Sequence, residues 1–284
     1  MISKLMIYLR LARLDKPVGI YLLLWPSLMG LMLGALNEGY IDFENYLIVL
    51  AGAILVRSCG CVINDISDYK FDKLVSRTKD RPIAKGEVSL KGAWIFFSIL
   101  ASSCLSLLIF VPKTTVQISL FIAIFILIYP LTKRFLKAPQ FFLGITFGSG
   151  TLISYSLVST NFSLSILLLF IGTVLWIISF DTIYALEDIE DDKLIGINST
   201  PILWGDKAII ISKILHLLFY FSLLLIFYIN QFSPLFLAIL LLLFCIYFYQ
   251  NSLVNQGKYL KSFKMNNWVG MIASIGFAIE IFLI

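Results

Sequence analysis

Nine runs of mostly apolar residues follow one another along this chain, at 17–37, 45–65, 90–112, 114–131, 138–159, 162–184, 207–229, 233–250 and 266–284. A helix of about 20 such residues spans the hydrocarbon core of a bilayer. A backbone inside lipid must satisfy its own hydrogen bonds, so runs of this length are read as helices. With 60% of its 284 residues hydrophobic and 14% charged, the chain is too apolar for an ordinary soluble domain. The expected fold is all-α: a polytopic bundle of nine transmembrane helices. No Pro/Gly/Ser linker divides it, so residues 1–284 are expected to form a single domain embedded in the lipid bilayer.

Basic residues fix the expected orientation. Threading nine helices up and down puts 21 of the 22 Lys and Arg on the N-terminal side, within 1–16, 57–91, 133–137, 193–213 and 258–264. Only Lys113 falls on the other side. Such a split is the positive-inside pattern and assigns that face to the cytoplasm. The net charge of +5 therefore reflects topology, and no nucleic-acid partner is expected. The stretch ISKLMIYLRLARLDK before the first run is basic and amphipathic, which predicts an interfacial helix. The run itself lacks a small-residue cleavage site and reads as a retained helix.

Cys59, Cys61, Cys104 and Cys245 lie in apolar segments, and the lone His216 begins another. Without partner pairs at metal spacing, packing is the expected role of all five.

Two polar stretches interrupt the pattern on the cytoplasmic side. NDISD at 64–68 and EDIED at 187–191 share Asp, Ile and Asp in register, 123 residues apart, a spacing compatible with a duplicated unit of a few helices. If the second helix runs past the bilayer edge, Asn64, Asp68 and Asp72 fall at i, i+4 and i+8, with Asp65 three before Asp68. Side chains so spaced share a face. Asp188, Asp191 and Asp192 repeat the arrangement. One acid here would ordinarily be a solvated loop residue. Two matched clusters repel within themselves at low dielectric and call for a cation. Hard oxygen donors without His or Cys suit Mg2+, which retains water and shares its ligands with phosphate.

Basic groups near the clusters complete a diphosphate site. Arg57, seven residues before Asn64 and inside an apolar run, either pairs with an Asp, reaches the diphosphate or snorkels to the interface. Arg77, Lys79, Arg81 and Lys85 crowd the loop after the first cluster. Asp181 shares a helix face with Tyr184 and Asp188 but lies deeper, so orienting a tyrosine or arginine is its expected role. Tyr69, Tyr129, Tyr184 and Trp25 offer ring faces to a developing carbocation.

The strings RLDKPVGIYLLLWPSLMG (13–30), RSCGCVINDISDYKFDKLVSRTKDRPIAKG (57–86), YPLTKRFLKAPQFFLG (129–144), SFDTIYALEDIEDDKLIGINSTPILWG (179–205) and MNNWVG (265–270) resemble the 4-hydroxybenzoate polyprenyltransferases of ubiquinone biosynthesis. The resemblance implies an Mg2+-dependent intramembrane enzyme with a central cavity open to the cytoplasm and to lipid. It would join the polyprenyl group of a polyprenyl diphosphate to 4-hydroxybenzoate, ortho to the hydroxyl, in the inner membrane of a bacterium or mitochondrion. Carried over position by position, it implies Asn64, Asp65, Asp68, Asp72, Asp188 and Asp192 as metal ligands. Of these, Asp68, Asp72, Asp188 and Asp192 would carry the catalysis. Arg134 would hold the benzoate carboxylate, with Lys133, Arg57, Arg77, Tyr184 and Asp181 beside the substrates. Ile189 and Asn198 stand where basic residues are common in the family, and RPIAKG where R-P-L-P-S-G is frequent; no carboxylate is lost.

Prenyl transfer to a naphthoate, homogentisate or haem is the alternative within the enzyme class. A secondary transporter is the alternative outside it, but would place its acids near mid-membrane. The D-G-x-x-A-R signature of head-group transferases is absent. The metal reading requires the two acid-bearing helices to end close together on one membrane face.

Overall fold

A computed structural model describes residues 4–40 and 42–283, and the described residues contain helices and no strand. The helices are α1 Lys4–Leu11, α2 Val18–Glu38, α3 Phe43–Asp72, α4 Leu90–Leu107, α5 Lys113–Thr132, α6 Pro139–Tyr155, α7 Leu164–Ala185, α8 Ile189–Ile195, α9 Thr200–Trp204, α10 Ala208–Asn230, α11 Pro234–Asn255 and α12 Tyr259–Leu283. Short α1 falls on the basic N-terminal stretch, as the sequence predicts.

Local chemistry sets the helix ends. Gly39 closes α2 in the left-handed conformation, and Gly196 does the same for α8. Ser89 caps α4 by accepting from the Gly92 amide at 3.1 Å. α11 opens on Pro234, whose missing N–H is harmless in a first turn.

Among the described residues, eight helices are long and apolar enough to cross a membrane, α4, α7 and α10 being counted together with the short helical segments that adjoin them. The protein is therefore an integral, multi-pass membrane protein. The run at 138–159 behaves differently. α6 stops at Tyr155 after 17 residues, a rise of about 25 Å against a core of about 30 Å. Its glycine-rich face packs between α2 and α7, so it is surrounded largely by protein. The expected count of nine spans is not confirmed.

Small residues allow that packing. A methyl group on Gly30 of α2 would overlap the Thr151 backbone carbonyl of α6, so the two backbones meet with no side chain between them. Behind this crossing, buried Trp176 of α7 stacks on Phe219 of α10 with ring centroids 5.0 Å apart. Its Nε1–H donates to Asn266 Oδ1 of α12 at 2.8 Å. Next along α12, Asn267 Oδ1 accepts from Trp25 Nε1 at 3.0 Å, and the Trp25 ring lies where a Cβ on Gly270 would stand. The MNNWVG block thus anchors two tryptophans, and Trp25 serves helix packing. His216 is buried edge-on against Tyr220 and Tyr247, and Cys59 and Cys61 are buried, in line with packing roles, whereas Cys104 is half-buried and Cys245 is exposed.

Candidate active site

α3 continues unbroken through Asp72, so Asn64, Asp68 and Asp72 follow one another at single-turn intervals. Asp65, Asp68 and Asp72 are buried. The second block departs from this regularity. α7 ends at Ala185, a tight turn covers 186–188, and Asp188 adopts φ −110 and ψ 7 before α8 begins. The matched motifs thus share an end of the bundle without sharing a backbone conformation.

Basic side chains draw the two blocks together. Arg77, on the loop after α3, donates from Nε to both oxygens of Asp188 at 2.8 and 3.0 Å. Its Nη1 donates to the Tyr184 hydroxyl at 2.6 Å, and its guanidinium carbon lies 5.0 Å from the Tyr184 ring centroid. Arg81 Nη1 donates to both oxygens of Asp72 at 2.9 Å. Partial desolvation would lower the pKa of Arg77, and deeper burial that of Arg81. Hydrogen bonding and charge from Asp188 in the first case, and the charges of Asp65 and Asp72 in the second, instead hold both above the ordinary arginine value. Both arginines are therefore cations at any physiological pH.

The end of α5 supplies the next pair. Lys133 Nζ lies 3.8 Å from Asp68 Oδ2, and Arg134 Nη2 lies 3.5 Å from Asp68 Oδ1. Arg134 also donates to the Ser67 carbonyl at 2.9 Å and sits over the Phe71 ring, 5.2 Å from its centroid. The Asn198 amide donates to the Lys133 carbonyl at 3.1 Å, so the segment after α8 buttresses the end of α5. That segment is held in turn through Thr200, whose amide donates to Gln140 Oε1 and whose hydroxyl meets Thr182.

Deeper in the bundle, Arg57 lies over the Phe147 ring at 5.2 Å, in space left open by Gly19. Its buried Nε finds no partner among the described residues. Asp181 lies on α7, seven residues before Asp188 and one turn before Tyr184. The expected central cavity is not confirmed.

No group of three or more His, Cys, Asp or Glu able to hold a metal ion is assembled among the described residues. The donors nevertheless suit Mg2+ in kind. Asn64, Asp68, Asp72, Asp188 and Asp192 offer only hard oxygens, and the contacts to Asp68 are at or beyond the long limit of a hydrogen bond. Sequence reasoning did not single out Arg13, which binds Asp65, or distinguish Arg81 from its basic neighbours. Both were hidden by the general excess of Lys and Arg on that side.

Comparison with known proteins establishes the family. Residues 23–274 match the model of the UbiA prenyltransferase family. The chain belongs to that family. It is 37% identical over 272 residues to the 4-hydroxybenzoate octaprenyltransferase of Vesicomyosocius okutanii, covering 95% of this chain and 99% of that protein. It is 43% identical over 199 residues to the enzyme of the same name from Pseudomonas aeruginosa, covering 70% and 67%. Among solved structures, the apo UbiA homolog from Aeropyrum pernix K1 superposes with a TM-score of 0.79 at 25% identity, over 90% of this chain and 97% of that one. A UbiA homolog from Archaeoglobus fulgidus, solved with GPP and Mg2+, shares the fold with a TM-score of 0.74 at 19% identity, over 96% and 98%.

Proposed function

We propose that this protein transfers a polyprenyl group from polyprenyl diphosphate to the ring carbon of 4-hydroxybenzoate ortho to its hydroxyl, releasing diphosphate, as a step of ubiquinone biosynthesis. The observation that carries the reading is the Arg77–Asp188 contact, which joins the two acid-bearing ends into one site. The names of the relatives supply the acceptor.

Asn64, Asp68, Asp72, Asp188 and Asp192 would hold Mg2+. When bound, Mg2+ supplies Lewis-acid stabilisation of the charge that develops on the departing diphosphate. Arg77 and Arg81 aim fixed positive charge at the same oxygens, which selectively favours the transition state. The allylic C–O bond breaks with its electron pair leaving on diphosphate. The phenol ring then forms the new C–C bond, and the displaced ring proton passes to a base. The ring faces of Tyr184 and Tyr129 lie near the site's cations and can share in stabilising the carbocation. Lys133 and Arg134 receive the carboxylate of the acceptor, Arg57 supplies charge from below, and surrounding helices exclude the water that would quench the cation. The site faces the cytoplasmic side of a bacterial inner membrane.

Purified protein in liposomes, given labelled 4-hydroxybenzoate and polyprenyl diphosphates of several lengths, should form a prenylated product with one diphosphate released per turnover. Product from a naphthoate, homogentisate or haem in place of 4-hydroxybenzoate would reassign the acceptor. Solute uptake without diphosphate release would replace the enzyme reading altogether.

A further inference from the structure

The first acidic block was expected to act as one row of ligands, yet its members face different neighbours. Asp65 is 2% exposed. Both of its oxygens accept from Arg13 Nη2 at 2.9 Å, and Oδ1 also lies 3.1 Å from Arg81 Nη1. The same Arg81 nitrogen serves both oxygens of Asp72. Asp65 and Asp72 are seven residues apart, two turns that return to the same side within about 20°. Asp68 points instead to Lys133 and Arg134 at the end of α5, through contacts of 3.5 Å or longer.

Arg13 reaches Asp65 from an unusual backbone. Its φ is 59, one of two positive values at non-glycine positions among the described residues, a conformation that a Cβ disfavours. The turn that imposes it is closed by the Leu14 amide on the Leu9 carbonyl at 2.9 Å. Arg10 fixes the same segment from the other side, donating to Glu87 Oε2 at 3.1 Å and to the Asp80 carbonyl at 3.2 Å. The N-terminal segment is therefore strapped across both α3 and the loop that carries Arg77 and Arg81.

We propose that Asp65 is not a metal ligand, and that the Arg13–Asp65 pair is a positioning device that fixes Arg81 against Asp72 at the rim of the diphosphate site. This rests on the metal and diphosphate reading given above. A cation on Asp65 would have to displace two arginines from a buried carboxylate, against one arginine on Asp72 or on Asp188 and only contacts of 3.5 Å or longer on Asp68. Sharing Arg81 between two carboxylates holds its guanidinium in one place. Because Nη1 alone serves both, Nε and Nη2 are assigned to an incoming phosphate oxygen.

The test compares Asp65→Asn, Arg13→Gln, Arg13→Lys and Asp68→Asn with the wild type. Mn2+ binding is read by electron paramagnetic resonance in the presence of a non-hydrolysable prenyl thiolodiphosphate, and KM and kcat are measured separately. Asp65→Asn and Arg13→Gln are expected to bind Mn2+ within about twofold of the wild type while KM for the prenyl diphosphate rises about tenfold, more than kcat falls. The double variant should be no worse than either single one, because the two residues act as a unit. Arg13→Lys should recover part of the loss, and Asp68→Asn should lose Mn2+. Loss of Mn2+ in Asp65→Asn equal to that in Asp68→Asn would overturn the proposal, as would an unchanged KM in Arg13→Gln. If the wild type itself bound no Mn2+, the metal reading would fall, and the KM comparison would still decide whether the pair positions Arg81.

Discussion

Arg77 reaches across 111 residues of sequence to Asp188, tying the loop after α3 to the second acidic block. The contact is short but lies at a surface, with 39% of the Arg77 side chain exposed. Such pairs contribute at most about 1 kcal/mol to folding. Its value is therefore expected in the reaction. Arg77→Ala should leave the melting temperature in detergent nearly unchanged while lowering kcat/KM by about 10²-fold or more, the scale of losing one preorganised donor. A large fall in melting temperature with intact activity would assign Arg77 to folding.

Chelation separates a metal-dependent transferase from one that works with arginines alone. EDTA should reduce diphosphate release to background, and Mg2+ should restore it. Zn2+ should not, because sites of hard oxygen donors without His or Cys are poorly matched to it. Diphosphate release measured in each condition decides, and full turnover in EDTA would remove the metal from the account.

Much of the fold and of the site was legible in the sequence, for reasons tied to particular residues. Helical periodicity placed Asn64, Asp68 and Asp72 on one continuous helix, and α3 runs to Asp72 without interruption. Clustering of Lys and Arg on one side put both acidic blocks at the same end, where Arg77 and Asp188 meet. Hydropathy could not show that the run at 138–159 yields only 17 helical residues packed between neighbours, because it registers apolar character and not what surrounds it. Nor could spacing separate Asp65 from Asp68. That difference arises from Arg13, 52 residues away, whose reach depends on a left-handed turn.

Glycines make a contrast that tests the packing directly. At Gly30 an added methyl would meet the backbone of Thr151, which has no side chain to swing aside, whereas at Gly52 nothing lies within 4 Å. Gly30→Ala should destabilise the protein by about 1–3 kcal/mol or more, as overpacking does. Gly52→Ala should be neutral or stabilise α3 by up to about 1 kcal/mol, since alanine is the better helix former. Thermal unfolding followed by size-exclusion chromatography compares the two, and equal behaviour would show that α2 and α6 do not touch at Gly30.

The Trp176–Asn266 bond offers a test of the interior behind the site. Both residues are buried, and Asn266 also donates to the Phe263 carbonyl at 3.0 Å. Phe263 in turn packs on Tyr184, the tyrosine that binds Arg77, with centroids 4.5 Å apart. Asn266→Leu strands the indole N–H of Trp176 in an apolar setting, which costs about 1–3 kcal/mol for an unsatisfied buried donor. Trp176→Phe removes the donor and leaves a smaller ring. The double variant should therefore be less destabilised than the sum of the single ones, because the orphaned N–H is then gone. Activity should fall in Asn266→Leu more than stability alone explains, since the shift is relayed through Phe263 to Tyr184. Additive melting temperatures across the four proteins would show that the indole and the amide do not bond, and unchanged kcat in Asn266→Leu would show that Tyr184 is held independently of α12.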